Sequence, residues 1–240
     1  MAGHSHWAGI KHKKGRQDKE RSKIFSKLSR EITVAAKLGA KDPDTNPRLR
    51  SAIQAAKESN MPKENITRAI NKSELNNNEN YLSLRYEGFG PSNTALIIET
   101  LTENKNRTAS KIRTILQKNS GRMGETGSTS HLFYNCGVIQ ISKEKFSDDE
   151  ILNIAIDLGA KDCKSKSEFH EIISEKEDFF KIKIALERKV DKFIYSGIEW
   201  RPLNYIEINN NDSKQIIINL LEELENNDDV QKIFINCKLK

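Results

Sequence analysis

From about Gln17 to Leu38, apolar residues recur every three to four positions. Ile24, Leu28, Ile32 and Ala35 fall on one face, with Phe25 beside them. That spacing predicts an amphipathic helix, and Gly39 stands where a helix-terminating glycine is expected. After the turn Lys41-Asp42-Pro43-Asp44, Asn46-Pro47 reads as the N-cap and first-turn proline of a second helix. Leu49, Ile53 and Ala56 face its core, and it ends near Asn60. A third helix starts at Pro62 and carries Ile66, Ala69 and Ile70. Three short-looped helices predict a small bundle over roughly 17–72. The Asn-rich stretch 73–81 then suits a linker.

Beyond the linker the period changes. Strands are expected at 82–87 and 94–101, joined by a turn at Gly88-Phe89-Gly90-Pro91. A helix at 107–118 and a strand near 129–134 follow. Next comes β-α-β-β-α-β: a strand at 137–142, a helix at 148–158, strands near 161–165 and 168–174, a helix at about 177–188 and a strand at 193–200. That order is the ferredoxin-like split βαβ. A strand at 205–208, a helix at 212–224 and a strand at 231–235 close the chain. The segment 82–134 lacks a closing helix and strand, and 205–235 supplies them. The expected fold class is therefore α+β: a three-helix domain over 1–72, a split α/β domain over 82–135 and 203–240, and a ferredoxin-like domain over 136–202 inserted into it.

Composition narrows the function classes. At 36% hydrophobic and 31% charged, with 7% aromatic, the chain can fill several modest cores that must be aliphatic. Its cysteines, Cys136, Cys163 and Cys237, are scattered and odd in number, so neither a disulfide framework nor a zinc knuckle is expected. No apolar run approaches the ~18–20 residues of a membrane span, and the start lacks a secretory apolar core. A cytoplasmic protein is expected.

Charge changes the picture more. The net charge of +6 is unevenly spread. Residues 1–72 hold 17 Lys and Arg against 7 Asp and Glu, whereas the remainder has an excess of four acids. The first thirty residues alone carry nine cations against Asp18 and Glu20. Before Ile24 this block has too few apolar residues to fold alone. Its expected partner is polyanionic: nucleic acid first, an anionic membrane or acidic protein surface second.

The segments MAGHSHWAGIKHKKGRQDKERSKIF, TVAAKLGAKDPDTNPRLRSAI and NMPKENITRAI resemble the YebC/PmpR family of bacterial regulatory proteins. YEGFGP, ENKNRT and GETGS extend the resemblance over essentially the whole chain. The mitochondrial translational activator of cytochrome c oxidase subunit I is in the same family. The resemblance implies the same three-domain layout and two roles: DNA-binding transcriptional regulation, and translation at the ribosome through proline-rich stretches. Family members usually show glycine where this chain has Ser120, and a Gly-Gly pair where it has Ser92-Asn93.

The candidate nucleic-acid-binding residues are Trp7, Lys11, His12, Lys13, Lys14, Arg16, Lys19, Arg21 and Lys23, with Arg48 and Arg50 extending the patch. Cations track phosphates, while Trp and His rings can stack on unpaired bases. Arg68 on the third helix could add to them. Structured RNA, ribosomal RNA foremost, is favoured over a DNA operator, because no helix shows a clear base-reading cluster beyond Arg48/Arg50. The alternative is a protein-interaction scaffold whose basic arm contacts acidic protein or membrane. His4, His6 and His12 lack a fourth ligand, so no metal and no cofactor is expected. Gly121, Gly124 and Gly127 beside Arg122 read either as a mobile hairpin loop or as backbone approaching a phosphate. No catalytic constellation, small-molecule substrate or membrane span is expected, and the oligomeric state is left open.

Overall fold

The computed structural model describes residues 17–75, 81–190 and 192–239, the side chains of 17–20 and 75 excepted. The helical unit consists of α1 (Gln17–Leu38), α2 (Pro47–Glu58) and α3 (Lys63–Leu75). Its core is Ile32, Ala35, Ala36, Leu49, Ala52, Ala56, Met61, Ile66 and Ala69. Asn46 holds the first corner. Its side chain accepts from the Leu49 amide at 3.0 Å and donates to the carbonyls of Ala35 at 2.8 Å and Ala40 at 2.7 Å. Gly39 is not among the left-handed residues. It ends α1 differently from expectation: a Cβ there would sit 2.6 Å from the Asn46 side-chain nitrogen, so the missing side chain makes room for the cap. The third helix runs on to Leu75, past the expected bundle end at 72, because Ser73 is buried and donates back to the Ile70 carbonyl at 2.6 Å. The expected linker is thereby shortened at its start.

The first α/β unit is a four-stranded antiparallel sheet in the order β3-β1-β2-β9. These strands are β1 (Leu82–Phe89), β2 (Ala95–Thr102), β3 (Arg122–Met123) and, from the far end of the chain, β9 (Val230–Ile235). Helices α4 (Lys105–Lys118) and α7 (Asn211–Glu225) cover one face. The core between them holds Leu96, Ile98, Ile112, Leu116, Ile217, Leu220, Leu224 and Ile233. Burying each such aliphatic side chain contributes about 1.5–3 kcal/mol.

Between β3 and β9 lies the inserted unit. Its elements are β4 (Phe133–Ser142), α5 (Asp148–Asp157), β5 (Asp162–Ser165), β6 (Phe169–Glu175), α6 (Phe179–Glu187) and β7 (Tyr195–Pro202). The sheet order β5-β6-β4-β7, antiparallel throughout, is the ferredoxin-like arrangement anticipated from the element order. A reciprocal capping box between Ser147 and Glu150 starts α5. A short parallel pair, β8 (Ile206–Ile208) with β10 (Cys237–Leu239), completes the strands among the described residues.

Three expectations are corrected. Gly88 and Phe89 belong to β1, so the turn follows them, at 90–94. No separate strand forms at 129–134. A 3₁₀ turn at Ser130–Leu132 leads into β4, which opens at Phe133, three residues ahead of the expected start of the inserted domain. The strand that does pair with β1 is the two-residue β3. Ser92, Asn93 and Ser120, which stand where the resemblance implies glycine, all take positive φ (56°, 57° and 55°). The loops keep the left-handed geometry that glycine would adopt without steric cost.

Candidate nucleic-acid interface

Helix α1 carries the basic N-terminal segment into the fold, and its own cations are largely engaged. Arg30 donates to the Asp228 carbonyl at 2.6 Å and pairs with Asp229 at 3.1 Å. Asp229 also accepts from Thr108 at 2.7 Å and pairs with Arg107 at 3.3 Å. Burial alone would raise the Asp229 carboxyl; the Thr108 hydroxyl and the two guanidinium groups hold it below its usual value. This hub ties α1 to the start of α4 and the approach to β9. Lys23 adds a hydrogen bond to Asn226 at the end of α7.

The sequence-derived site residues divide accordingly. Trp7, Lys11, His12, Lys13, Lys14 and Arg16 lie outside the described residues, as does the side chain of Lys19. Arg21 is exposed, its guanidinium 5.4 Å from the Phe25 ring centre. Arg50 is exposed on α2. Lys23 is turned toward Asn226. Arg48 grips Glu31 through two hydrogen bonds, at 2.8 and 3.2 Å, and Glu31 raises its pKa further. It therefore braces α2 against α1.

Sequence reasoning passed over most of α3. Its exposed half presents Lys63, Glu64, Thr67, Arg68, Asn71 and Lys72, while Ile66, Ala69 and Ser73 point inward. Lys63, Arg68 and Lys72 form no ion pair among the described residues. The Thr33 hydroxyl donates to the Ala69 carbonyl at 2.9 Å, and Lys41 pairs with Glu74. These contacts set α3 alongside α1, running in the same direction.

The glycine loop has its amides turned inward. Thr129 and Ser130 donate their backbone N–H groups to Glu87 at 2.8 and 2.9 Å, and the Thr129 hydroxyl adds a third bond at 3.2 Å. Glu87 is 2% exposed. Burial would raise its carboxyl, but these donors hold it below the ordinary range. The loop thus closes over a carboxylate of its own chain, and Arg122 stacks 4.5 Å from the Phe89 ring centre. Buried Cys136 and Cys237 are pushed up by desolvation to about 11 and about 12, which makes them inert thiols. No group of three or more metal-ligating side chains occurs among the described residues, and none of the described helices is long and apolar enough to cross a membrane.

Two family models match the chain: the TACO1/YebC protein N-terminal domain over residues 5–76, and the TACO1/YebC second and third domain over 81–237. The chain belongs to the TACO1/YebC family. A curated relative, a probable transcriptional regulatory protein of Pelagibacter ubique (strain HTCC1062), is 53% identical over 240 residues, covering 100% of this chain and 99% of the relative. A crystal structure of a conserved hypothetical protein from Aquifex aeolicus superposes with a TM-score of 0.85 at 40% identity, covering 98% of this chain and 97% of the other. The family's three-part architecture is the one described above.

Proposed function

We propose that this TACO1/YebC-family protein is a non-enzymatic regulator of gene expression that holds nucleic acid on its helical unit, with ribosomal RNA as the favoured target. The observation that carries this reading is the charge division: an excess of ten cations in residues 1–72, against an excess of four acids in the rest. The acidic remainder resists wrapping a duplex, while the basic segment, with Trp7 and three histidines, suits irregular RNA and splayed bases. On the described part of the helical unit, the exposed helix cations are Arg21, Arg50, Lys57, Lys63, Arg68 and Lys72. A cytoplasmic location goes with this reading.

A second reading, DNA-binding transcriptional regulation, is favoured by the name of the Pelagibacter relative. A scaffold that grips acidic protein or membrane is separated from both by one experiment. Binding of the full chain to an RNA stem-loop, to poly-glutamate peptide and to phosphatidylserine vesicles is measured against salt. The proposal expects binding to the RNA that weakens steeply with salt, and much weaker binding to the other two at matched charge. Equal or tighter binding to peptide or vesicles would replace it with the scaffold.

A further inference from the structure

We infer that the outer face of α3 is a second nucleic-acid contact, one that lies along the shallow minor groove of a double-stranded RNA stem. The inference rests on the nucleic-acid reading above and adds where and how a duplex is held.

On a helical projection of about 100° per residue, the exposed half of α3 runs from Lys63 at one edge, through Glu74 (paired with Lys41), Thr67, Asn71 and Glu64, to Arg68 and Lys72 at the other. Cations thus flank a centre of short hydrogen-bonding side chains. The flanks are separated by about the 10–12 Å diameter of a helix. The opposite half of α3 is fixed in the core by Ile66, Ala69 and Ser73, so the helix presents a broad, shallow ridge. Arg48, Lys23 and Arg30 show what engaged cations of this unit look like: each is held by a partner in the same chain. Among the described residues, the three α3 cations have no such partner.

Two rows of phosphates on either side of a groove match the flanking cations. The wide, shallow minor groove of A-form RNA displays 2′-hydroxyls, which both donate and accept. Thr67 and Asn71 can satisfy them, and Glu64 can accept from one. In a B-DNA major groove the same side chains would meet base edges, Asn71 an adenine and Glu64 a cytosine amino group, so the DNA duplex of matching sequence is the arm of the test that separates the two grooves.

The test uses the full-length protein, a ~20-base-pair RNA stem and the DNA duplex of the same sequence. The triple variant Lys63→Ala, Arg68→Ala, Lys72→Ala is expected to flatten the slope of log K against log salt on RNA by about 2–3 units. The pair Thr67→Val, Asn71→Ala is expected to leave that slope unchanged and to lower the preference for RNA over DNA about tenfold. All five positions are exposed, and an unchanged thermal transition checks the fold. Wild-type binding with the same slope in the triple variant would overturn the inference alone, as would tighter wild-type binding to the DNA duplex. Failure of the wild type to bind any nucleic acid would overturn the function proposed above as well.

Discussion

Replacing Arg201 with methionine is expected to destabilise the protein by about 3–5 kcal/mol, because it strands a buried carboxylate. On the sheet face of the inserted unit, Arg201 of β7 reaches Glu171 of β6 through two hydrogen bonds, at 2.9 and 2.8 Å. Gln140 of β4 donates to the same carboxylate at 2.9 Å. The Glu171 and Arg201 side chains are 1% and 16% exposed. Burial pushes the Glu171 carboxyl up, yet Arg201, with help from Gln140 and Lys166, holds it down to about 2. A carboxyl depressed in the folded state contributes stability that is present above its unfolded value of about 4.3. That stability is lost as pH falls through the folded value, so the wild type should weaken between about pH 4.3 and pH 2. In the variant the carboxyl has lost its strongest partner and burial raises it, so it is neutralised earlier on the acid side. The deficit measured by urea denaturation should therefore be largest near neutral pH and shrink toward pH 2. A deficit under ~1 kcal/mol at pH 7 would mean that the pair is not the fastener of this sheet.

Substituting Lys11, Lys13, Lys14 and Arg16 together with alanine is expected to produce the largest change in binding. If about five cations of the basic run meet phosphates, they alone should contribute roughly −3.5 to −4.5 to the slope of log K against log salt, beside any contribution from α3. The fourfold variant should flatten that slope by about 3 units. Its discrimination between RNA sequences should hardly change, because phosphate contacts set affinity and register without reading bases. A slope equal to that of the wild type would place the main contact away from this run. Since all four residues precede α1, the folded units should keep their thermal transitions.

These two expectations differ in how far the sequence alone led to them. The basic run is local and its charge can be counted directly. The Glu171–Arg201 pair joins residues 30 apart on strands separated by a third strand, and no local pattern announces it. The same divide holds through the fold. Asn46-Pro47 signalled the start of α2 because capping acts within three residues. The ferredoxin-like order was legible because each element of that unit is long enough to show its period. The two-residue β3 and three-residue β10 are too short for any period, and they exist through pairing with β1 and β8. Likewise Arg30 and Asp229 are 199 residues apart, and Arg48 finds Glu31 only when α1 and α2 are packed. At the candidate site, sequence ranked cations by their density and so pointed to the first thirty residues. The cations of α3 are spaced among buried positions, and their freedom emerges only once the ion pairs of neighbouring residues are known.

The central claim is most directly tested by competition. Lysate is fractionated, co-sedimentation of the protein with ribosomes is measured, and the complex is challenged with duplex DNA at matched phosphate concentration. The account predicts that the protein travels with ribosomes and that random or promoter duplex fails to displace it at low salt. A protein that stays off ribosomes and selects one promoter sequence by at least ~10³ over random duplex would contradict it and establish the transcriptional reading instead.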